Sequence, residues 1–380
     1  MKYVLKYTWV LISLFPVLAF AQCNNYSMKI HKDGEIIASY AVSDLDSVTF
    51  FQDHDEGNKK LSDVTVSHIY GDGSTYCAFT SLIKRNGIYY LAFREAASHV
   101  SPGDYGVIRI LTSVDGESWS LKQTLQSREI DLRDPDLSEM PNGKIMITCG
   151  ARMLSYNDLY VTRTYCSIED DRGSFCDAVP VNIPKGANWE TSSWIWRITW
   201  HNGVGYGVCY GDDKLAIVKT IDGLNYDIIA FPSIPGNPNE CQIRFLPDDT
   251  AIMLVRRSQG NGQTGYMGKA LPPNYQEWDW KELAIYLAGQ NFIIDGEKLI
   301  VCTRMTQNIG DRTCMWIGDK GGSFNWCYTL PFGGRSGKGD TAYAGILNEK
   351  SNYWVSYYAI HDGEKPSIYL ARIPKHFIPR

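Results

Sequence analysis

Apolar residues recur along this chain in pairs of short runs. Asn239 to Arg257, NECQIRFLPDDTAIMLVRR, shows the pattern: a strand, a turn at Pro247-Asp248-Asp249, and a second strand carrying Ile252, Leu254 and Val255. Similar units begin near Cys77 (CAFTSLIKRNGIYYLAF), Leu132 (LRDPDLSEMPNGKIMITCG), Trp194 (WIWRITWHNGVGYGVCY), Gln290 (QNFIIDGEKLIVCTR) and Thr341 (TAYAGILNEKSNYWVSYY). The turns are built on Asn-Gly, Asp-Asp, Asp-Gly or an Asn-Glu-Lys-Ser loop. The period is about fifty residues, the size of a propeller blade. Six units predict an all-β, six-bladed β-propeller over residues 63–380, with helix nearly absent. Closing it requires the segment at Ser67–Tyr70 to pair with the last unit near Ile368–Ile373, which removes the open sheet edge.

The start of the chain breaks the pattern. Met1 to Ala21 carries Lys2 and Lys6, an apolar run from Trp9 to Phe20, and the small-x-small triplet Ala19-Phe20-Ala21. This predicts a cleaved signal peptide over residues 1–21, hence a secreted or periplasmic protein. Cys23 opens the alternative of an outer-membrane lipoprotein, although Gln22 fits a lipid-attachment box badly. No other apolar run is long enough to span a bilayer. Residues 22–62 read as a small β extension: a hairpin around Asp33-Gly34, then Val48 to Phe51, then the charged linker beginning at Asp53.

Composition narrows the function. A net charge of −5 and pI near 5.8 exclude a nucleic-acid partner of the usual basic kind. Gly (34), Trp (11) and Tyr (24) are abundant, in keeping with strands and turns. The ten cysteines contain no C-x-x-C spacing, and Cys149, Cys209 and Cys302 fall inside apolar strand patterns where buried thiols are common. Export permits disulfides, but the spacing names no pairs. Nothing in the sequence calls for a metal or cofactor.

The charged residues gather at the ends of the repeated units. In a hairpin the ends of paired strands lie side by side, so Glu240 and Arg256 face the same end of the sheet. A surface ion pair is the ordinary reading of such a couple. Ser113-Val-Asp-Gly-Glu-Ser-Trp119 lies between units, with looser echoes at Thr220 to Tyr226 and Ser167 to Phe175. These resemble Asp boxes, turns in which the aspartate bonds turn amides and the aromatic packs on the blade. Asp115, Asp222 and Trp119 are therefore kept out of the candidate site.

Taken in order, these motifs resemble the sialidase superfamily, over nearly the whole chain after residue 62. Glu240 through Arg256 is similar to the sialidase strand pair that carries a glutamate and a carboxylate-binding arginine. Arg304 in Val-Cys-Thr-Arg matches the next arginine, and Ala342-Tyr343-Ala-Gly-Ile-Leu resembles the strand of the catalytic tyrosine. The resemblance implies an exo-glycosidase that releases a terminal acidic sugar from a glycan. Tyr343 would be the nucleophile and Glu240 the base that takes its proton, because a carboxylate nucleophile would meet the like charge of the sugar. Arg256 and Arg304 would clamp the substrate carboxylate through bidentate guanidinium contacts.

The chain departs from the family at its first unit, where Tyr76-Cys-Ala-Phe-Thr-Ser-Leu82 lacks the expected arginine. Arg94, Arg133 and Arg197, with Asp134, are further charges at unit entrances, and Arg94 or Arg133 is expected to complete the clamp. By position Asp104 is the general acid, with His99 as the alternative since histidine titrates near neutrality. Asp340 and His361 are expected to touch substrate, although His361-Asp-Gly363 also reads as a turn. Two other readings stay open: a non-catalytic carbohydrate-binding propeller, and a glycosidase or lyase for another acidic sugar such as a uronic acid.

Overall fold

The backbone uses the turn chemistry read from the sequence. Asn86 and Gly87 sit at φ 51° and 80° and Asn202 and Gly203 at 48° and 82°, while Asp212 and Asp213, a turn not picked out from the sequence, sit at 49° and 60°. Two successive left-handed residues give the tight turn whose twist matches a pair of antiparallel strands. A computed structural model of the chain describes residues 27–32, 35–41, 64–100, 103–154, 160–258, 264–307, 310–331, 340–360 and 364–377. The chain divides into two units, Met1–Asn58 and Lys59–Arg380. In the first, Ser27–Lys32 and Glu35–Ala41 form an antiparallel hairpin with Ser27 opposite Ala41. The expected signal segment, Cys23, the Val48–Phe51 strand and His361 lie outside the described residues.

The second unit is built from antiparallel meanders. The first sheet comprises Tyr76–Arg85, Ile88–Ala96, Val107–Ser113 and Ser120–Leu125. A later one comprises Pro238–Phe245, Ala251–Arg257, Tyr266–Ala270 and Asp279–Glu282. Next come Asn291–Asp295, Lys298–Gln307, Gly310–Asp319 and Phe324–Thr329. The last sheet, Ala342–Asn348, Asn352–Ala359 and Ser367–Pro374, is completed by Thr65–Tyr70 from the start of the unit. Ile368 faces Tyr70, Leu370 faces Ser67 and Arg372 faces Thr65, the closure expected from the sequence.

Where two separate blades were expected, the hydrogen bonding shows one eight-stranded sheet over residues 131–230. Its halves join where Tyr160–Ile168 runs parallel to Ser192–His201, with Thr162 opposite Ser192 and Arg163 opposite Ser193. Thr164 helps make the join. Its hydroxyl donates to the Ser193 carbonyl at 3.1 Å and accepts the Ile195 amide at 2.7 Å. The first strand of each sheet or half packs against that of the next, and the last returns to the first. The arrangement is an all-β propeller, and among the described residues the helix consists of the short 3₁₀ turns Lys185–Ala187 and Lys375–Phe377.

Apolar faces fill the space between neighbouring sheets. Ile110, Leu132, Ile147 and Phe175 form one such cluster and Val208, Ile243, Met253 and Tyr275 another. Seven described cysteines are buried free thiols within these layers. Burial pushes the Cys77 and Cys166 thiols up to about 12, so they are inert packing groups. On the outside, Asp115 accepts the amides of Glu117 and Ser118 at 2.8 and 2.9 Å, and Asp222 accepts those of Leu224 and Asn225 at 2.8 Å. Asp170 and Asp319 hold their turns in the same way. The Asp319 turn, followed by Phe324, was not picked out from the sequence.

One backbone feature recurs around the ring. The first strands carry residues in the left-handed region at corresponding places: Phe79 (φ 63°), Asp134 (46°), Arg197 (34°), Glu240 (44°) and Tyr343 (48°). At each, the strand register slips: between Ala78 and Ser81, Arg133 and Asp136, Trp196 and Thr199, Asn239 and Gln242, and Ala342 and Gly345. Gly289 (φ 55°) holds the same place just ahead of Asn291–Asp295. A bulge re-aims a side chain beside a functional site more often than elsewhere.

Candidate active site

The bulges bring together side chains that are far apart in sequence. Tyr343, from the last sheet, donates its hydroxyl to Glu240 Oε1 at 2.7 Å, 103 positions away. Arg256, on the strand beside Glu240, bonds the same oxygen. The other carboxylate oxygen accepts the Gly289 amide at 2.8 Å, and Gln290 donates to the Glu240 carbonyl. The Tyr343 amide in turn donates to the Gly289 carbonyl at 3.0 Å. Gly289 therefore ties the tyrosine and the glutamate to one peptide. A Cβ there would lie 2.6 Å from Tyr343 Cδ2, so only glycine lets the ring lie over it. Burial, with the Glu240 charge adding to it, pushes the Tyr343 phenol well above its ordinary value, against the pull of Arg256. The resting phenol is neutral, and Glu240 is the acceptor placed to take its proton.

Around this pair lies a second cluster centred on Asp340. Arg304 donates to Asp340 Oδ1 at 2.6 Å and Tyr358 to the same oxygen at 2.7 Å. The other oxygen, Oδ2, is bonded by the Tyr76 hydroxyl and by His99 Nδ1. Burial alone would raise the Asp340 carboxyl, but the bond from His99 and the Arg304 charge outweigh it and hold the group well below the usual range. Arg304 also lies 5.7 Å over the Tyr343 ring. The mouth of the site is here. Side-chain exposure is 17% for Arg304, 19% for Arg256, 21% for Asp340 and 48% for His99, against 7% for Glu240.

The remaining sequence candidates fall into two groups. Arg133 approaches the cluster: it donates to the His99 carbonyl at 3.0 Å and lies 5.3 Å over the Phe79 ring. Phe79 in turn packs edge-on against Tyr343 at 4.9 Å. It lies in Tyr76–Leu82, the first-strand stretch that carries no arginine. Asp134 lines a cavity of about 10 Å³, room for a single water, with Trp196, Arg197 and Tyr343. Its Oδ1 has no hydrogen-bond partner among the described residues. Burial pushes its carboxyl up to about 7, opposed by Arg133 and reinforced by Glu240. Asp134 is thus a half-buried acid at the wall of a water-sized cavity beside Tyr343.

Arg94, Arg197 and Asp104 have other tasks than those expected of them. Arg94 is fully buried, donating to Asp131 at 2.7 Å and to the Ser98 carbonyl at 2.8 Å, so it holds the loop and does not face substrate. Arg197 pairs with Asp136 at 3.3 Å and bonds the carbonyls of Thr80 and Ala344 at 3.4 Å, which ties its own first strand to three others. Asp104 accepts the amides of Ala97 and Ser98 at 2.9 and 2.8 Å and the Ser98 hydroxyl at 2.9 Å. Those bonds lower its carboxyl although burial opposes them, so it is an ionised loop staple and a poor proton donor. Tyr76, Phe79, Tyr358, Gly289 and Gln290 were not singled out from the sequence. Only the left-handed bulge marks Phe79 and Gly289, and it has no signature in one chain.

No family model matches this chain, and no curated protein matches it. Solved structures do. A protein of unknown function from Dyadobacter fermentans aligns with a TM-score of 0.69 at 18% identity, covering 82% of this chain and 99% of that one. The NanB sialidase from Streptococcus pneumoniae aligns with a TM-score of 0.60 at 10% identity, covering 81% of this chain and 70% of that one. Trypanosoma rangeli sialidase aligns at 0.58 and 11% identity, with 81% of this chain and 59% of that one covered. The propeller is of the sialidase type.

Proposed function

We propose that this chain, with its sialidase-type propeller, is an exported exo-glycosidase that hydrolyses a terminal acidic sugar, sialic acid or a close relative, from a glycan. The observation that carries the reading is the hydroxyl of Tyr343, 2.7 Å from Glu240 Oε1, beneath the guanidinium groups of Arg256 and Arg304. Tyr343 attacks the anomeric carbon while Glu240 takes its proton, giving a glycosyl-tyrosine that water then hydrolyses. Arg256 and Arg304 bind the sugar carboxylate. Both are paired with protein carboxylates in the free protein. A substrate carboxylate that draws Arg256 toward itself frees Glu240 Oε1, which the two share, for the Tyr343 proton. Arg133, lying over Phe79, supplies the third positive charge that the first strand lacks. Counting each half of the eight-stranded sheet as a blade makes the propeller six-bladed.

The lack of an arginine in Tyr76–Leu82 favours a second reading, an acidic sugar other than sialic acid, such as a uronic acid. The test is product analysis with sialyl-lactose and a uronic-acid-capped oligosaccharide, for wild type and Tyr343→Phe. Release of an acidic monosaccharide by wild type, with loss of all but about one part in 10³ or more in the variant, supports the tyrosine mechanism. Unchanged cleavage by Tyr343→Phe overturns it, and release from neither substrate leaves a carbohydrate-binding propeller.

A further inference from the structure

The mechanism above needs a proton donor for the leaving oxygen, and Asp104 is occupied with loop amides. Deepening that reading, and resting on it, we propose that His99 is the general acid and base of the reaction, with Asp340 as its positioning residue.

The geometry supplies each element such a pair requires. His99 lies in the loop after Ile88–Ala96, and its ring stands at the mouth, half exposed. One ring nitrogen, Nδ1, is bonded to Asp340 Oδ2 and lies 2.8 Å from the Tyr76 hydroxyl. The other, Nε2, has no hydrogen-bond partner among the described residues. A carboxylate bonded to Nδ1 fixes the ring orientation, so that Nε2 is the nitrogen placed to transfer a proton. The ring is also fixed by packing, edge-on to Phe79 at 5.4 Å and to Tyr76 at 5.5 Å. Phe79 also packs against Tyr343, so acid and nucleophile both contact one phenyl ring. Arg133 anchors the loop by its bond to the His99 carbonyl. The carboxylate itself is held by Arg304 and Tyr358.

The steps balance. In the first, Nε2–H passes its proton to the glycosidic oxygen as the bond from that oxygen to the anomeric carbon breaks. Tyr343 Oη forms the new bond to the anomeric carbon, and its proton goes to Glu240. In the second, a water attacks that carbon and gives a proton to the neutral Nε2. The Tyr343 oxygen leaves and recovers its proton from Glu240.

A general acid matters most when the leaving group is poor. The test compares the 4-methylumbelliferyl α-glycoside and the lactoside of N-acetylneuraminate, for wild type, His99→Ala and Asp340→Asn. The expected result is a loss in kcat/KM, which reports the first step alone, of about 10²–10⁴ on the lactoside for His99→Ala, with less than about tenfold on the aryl glycoside. Asp340→Asn should show the same selectivity in milder form, which a merely structural role would not produce. Equal losses in kcat/KM on both substrates, or no loss on the lactoside, overturn the assignment while the tyrosine mechanism stands. Failure of wild type to cleave either substrate overturns the sialoside reading itself and this assignment with it.

Discussion

Replacing Gly289 with alanine adds one methyl group at the point where nucleophile and base meet. That methyl would lie 2.6 Å from Tyr343 Cδ2 and 2.7 Å from Cε2. An ordinary contact begins near 3.4 Å, so the ring must retreat by about 0.8 Å. The Tyr343 hydroxyl is 2.7 Å from Glu240, and the same movement carries it to about 3.5 Å, beyond hydrogen-bond range. A misplacement of about 1 Å costs on the order of 10²-fold in rate. The left-handed backbone adds a stability cost of about 1–2 kcal/mol. Gly87→Ala is the control, since Gly87 has φ 80° and nothing within 4 Å of the added atom. Gly289→Ala should lose more stability in urea than Gly87→Ala, by the cost of the clash with the Tyr343 ring, and it alone should lose about a hundredfold in kcat on the sialoside. Wild-type turnover by Gly289→Ala would refute the claim that this glycine sets the tyrosine against the glutamate.

Asp134→Asn should change how stability depends on pH. The Asp134 carboxyl rises from its ordinary 3.8 to about 7 in the fold, so the folded state holds a proton the unfolded state has released. Stability from this group is therefore lost as pH rises between those values, by about 4 kcal/mol in all for a shift of roughly 3 units. The asparagine variant should lack that fall, and urea midpoints at pH 5 and pH 8 that shift equally for both proteins would show the carboxyl is not held protonated. Asp104→Asn keeps one of the two oxygens that accept the Ala97 and Ser98 amides and cannot deliver a proton as an acid. It should retain lactoside cleavage to within about tenfold, and a loss approaching that of a missing general acid, about 10²–10⁴, would return Asp104 to that role.

The fold was legible because it is written in local terms. Alternating apolar residues and paired turn residues fix each hairpin, and the closure between Thr65–Tyr70 and Ser367–Pro374 follows from the need to cover an edge. The merging of two units into one sheet was not legible, since it depends on Thr164 meeting Ser193 and Ile195 across a tertiary contact. At the site, motif order singled out Tyr343, Glu240, Arg256 and Arg304, and the structure brings them together. It could not sort the other arginines. Whether a guanidinium faces the mouth or a buried carboxylate depends on partners such as Asp131, which lies 37 positions from Arg94. Asp104 stands at the right place along the chain, but a loop aspartate is as well suited to capping amides as to giving up a proton.

The left-handed residues of the first strands have a consequence for how far this protein can be stabilised. Six of them carry side chains: Phe79, Asp134, Arg197, Glu240, Ala342 and Tyr343. At about 1–2 kcal/mol each, they forgo roughly 6–12 kcal/mol, the scale of a domain's entire net stability of about 5–15 kcal/mol. Glycine at any of them would relieve the backbone and erase the side chain in one step. Thermal robustness and turnover are therefore set against each other at these places, while the outer strands can be strengthened without touching the chemistry.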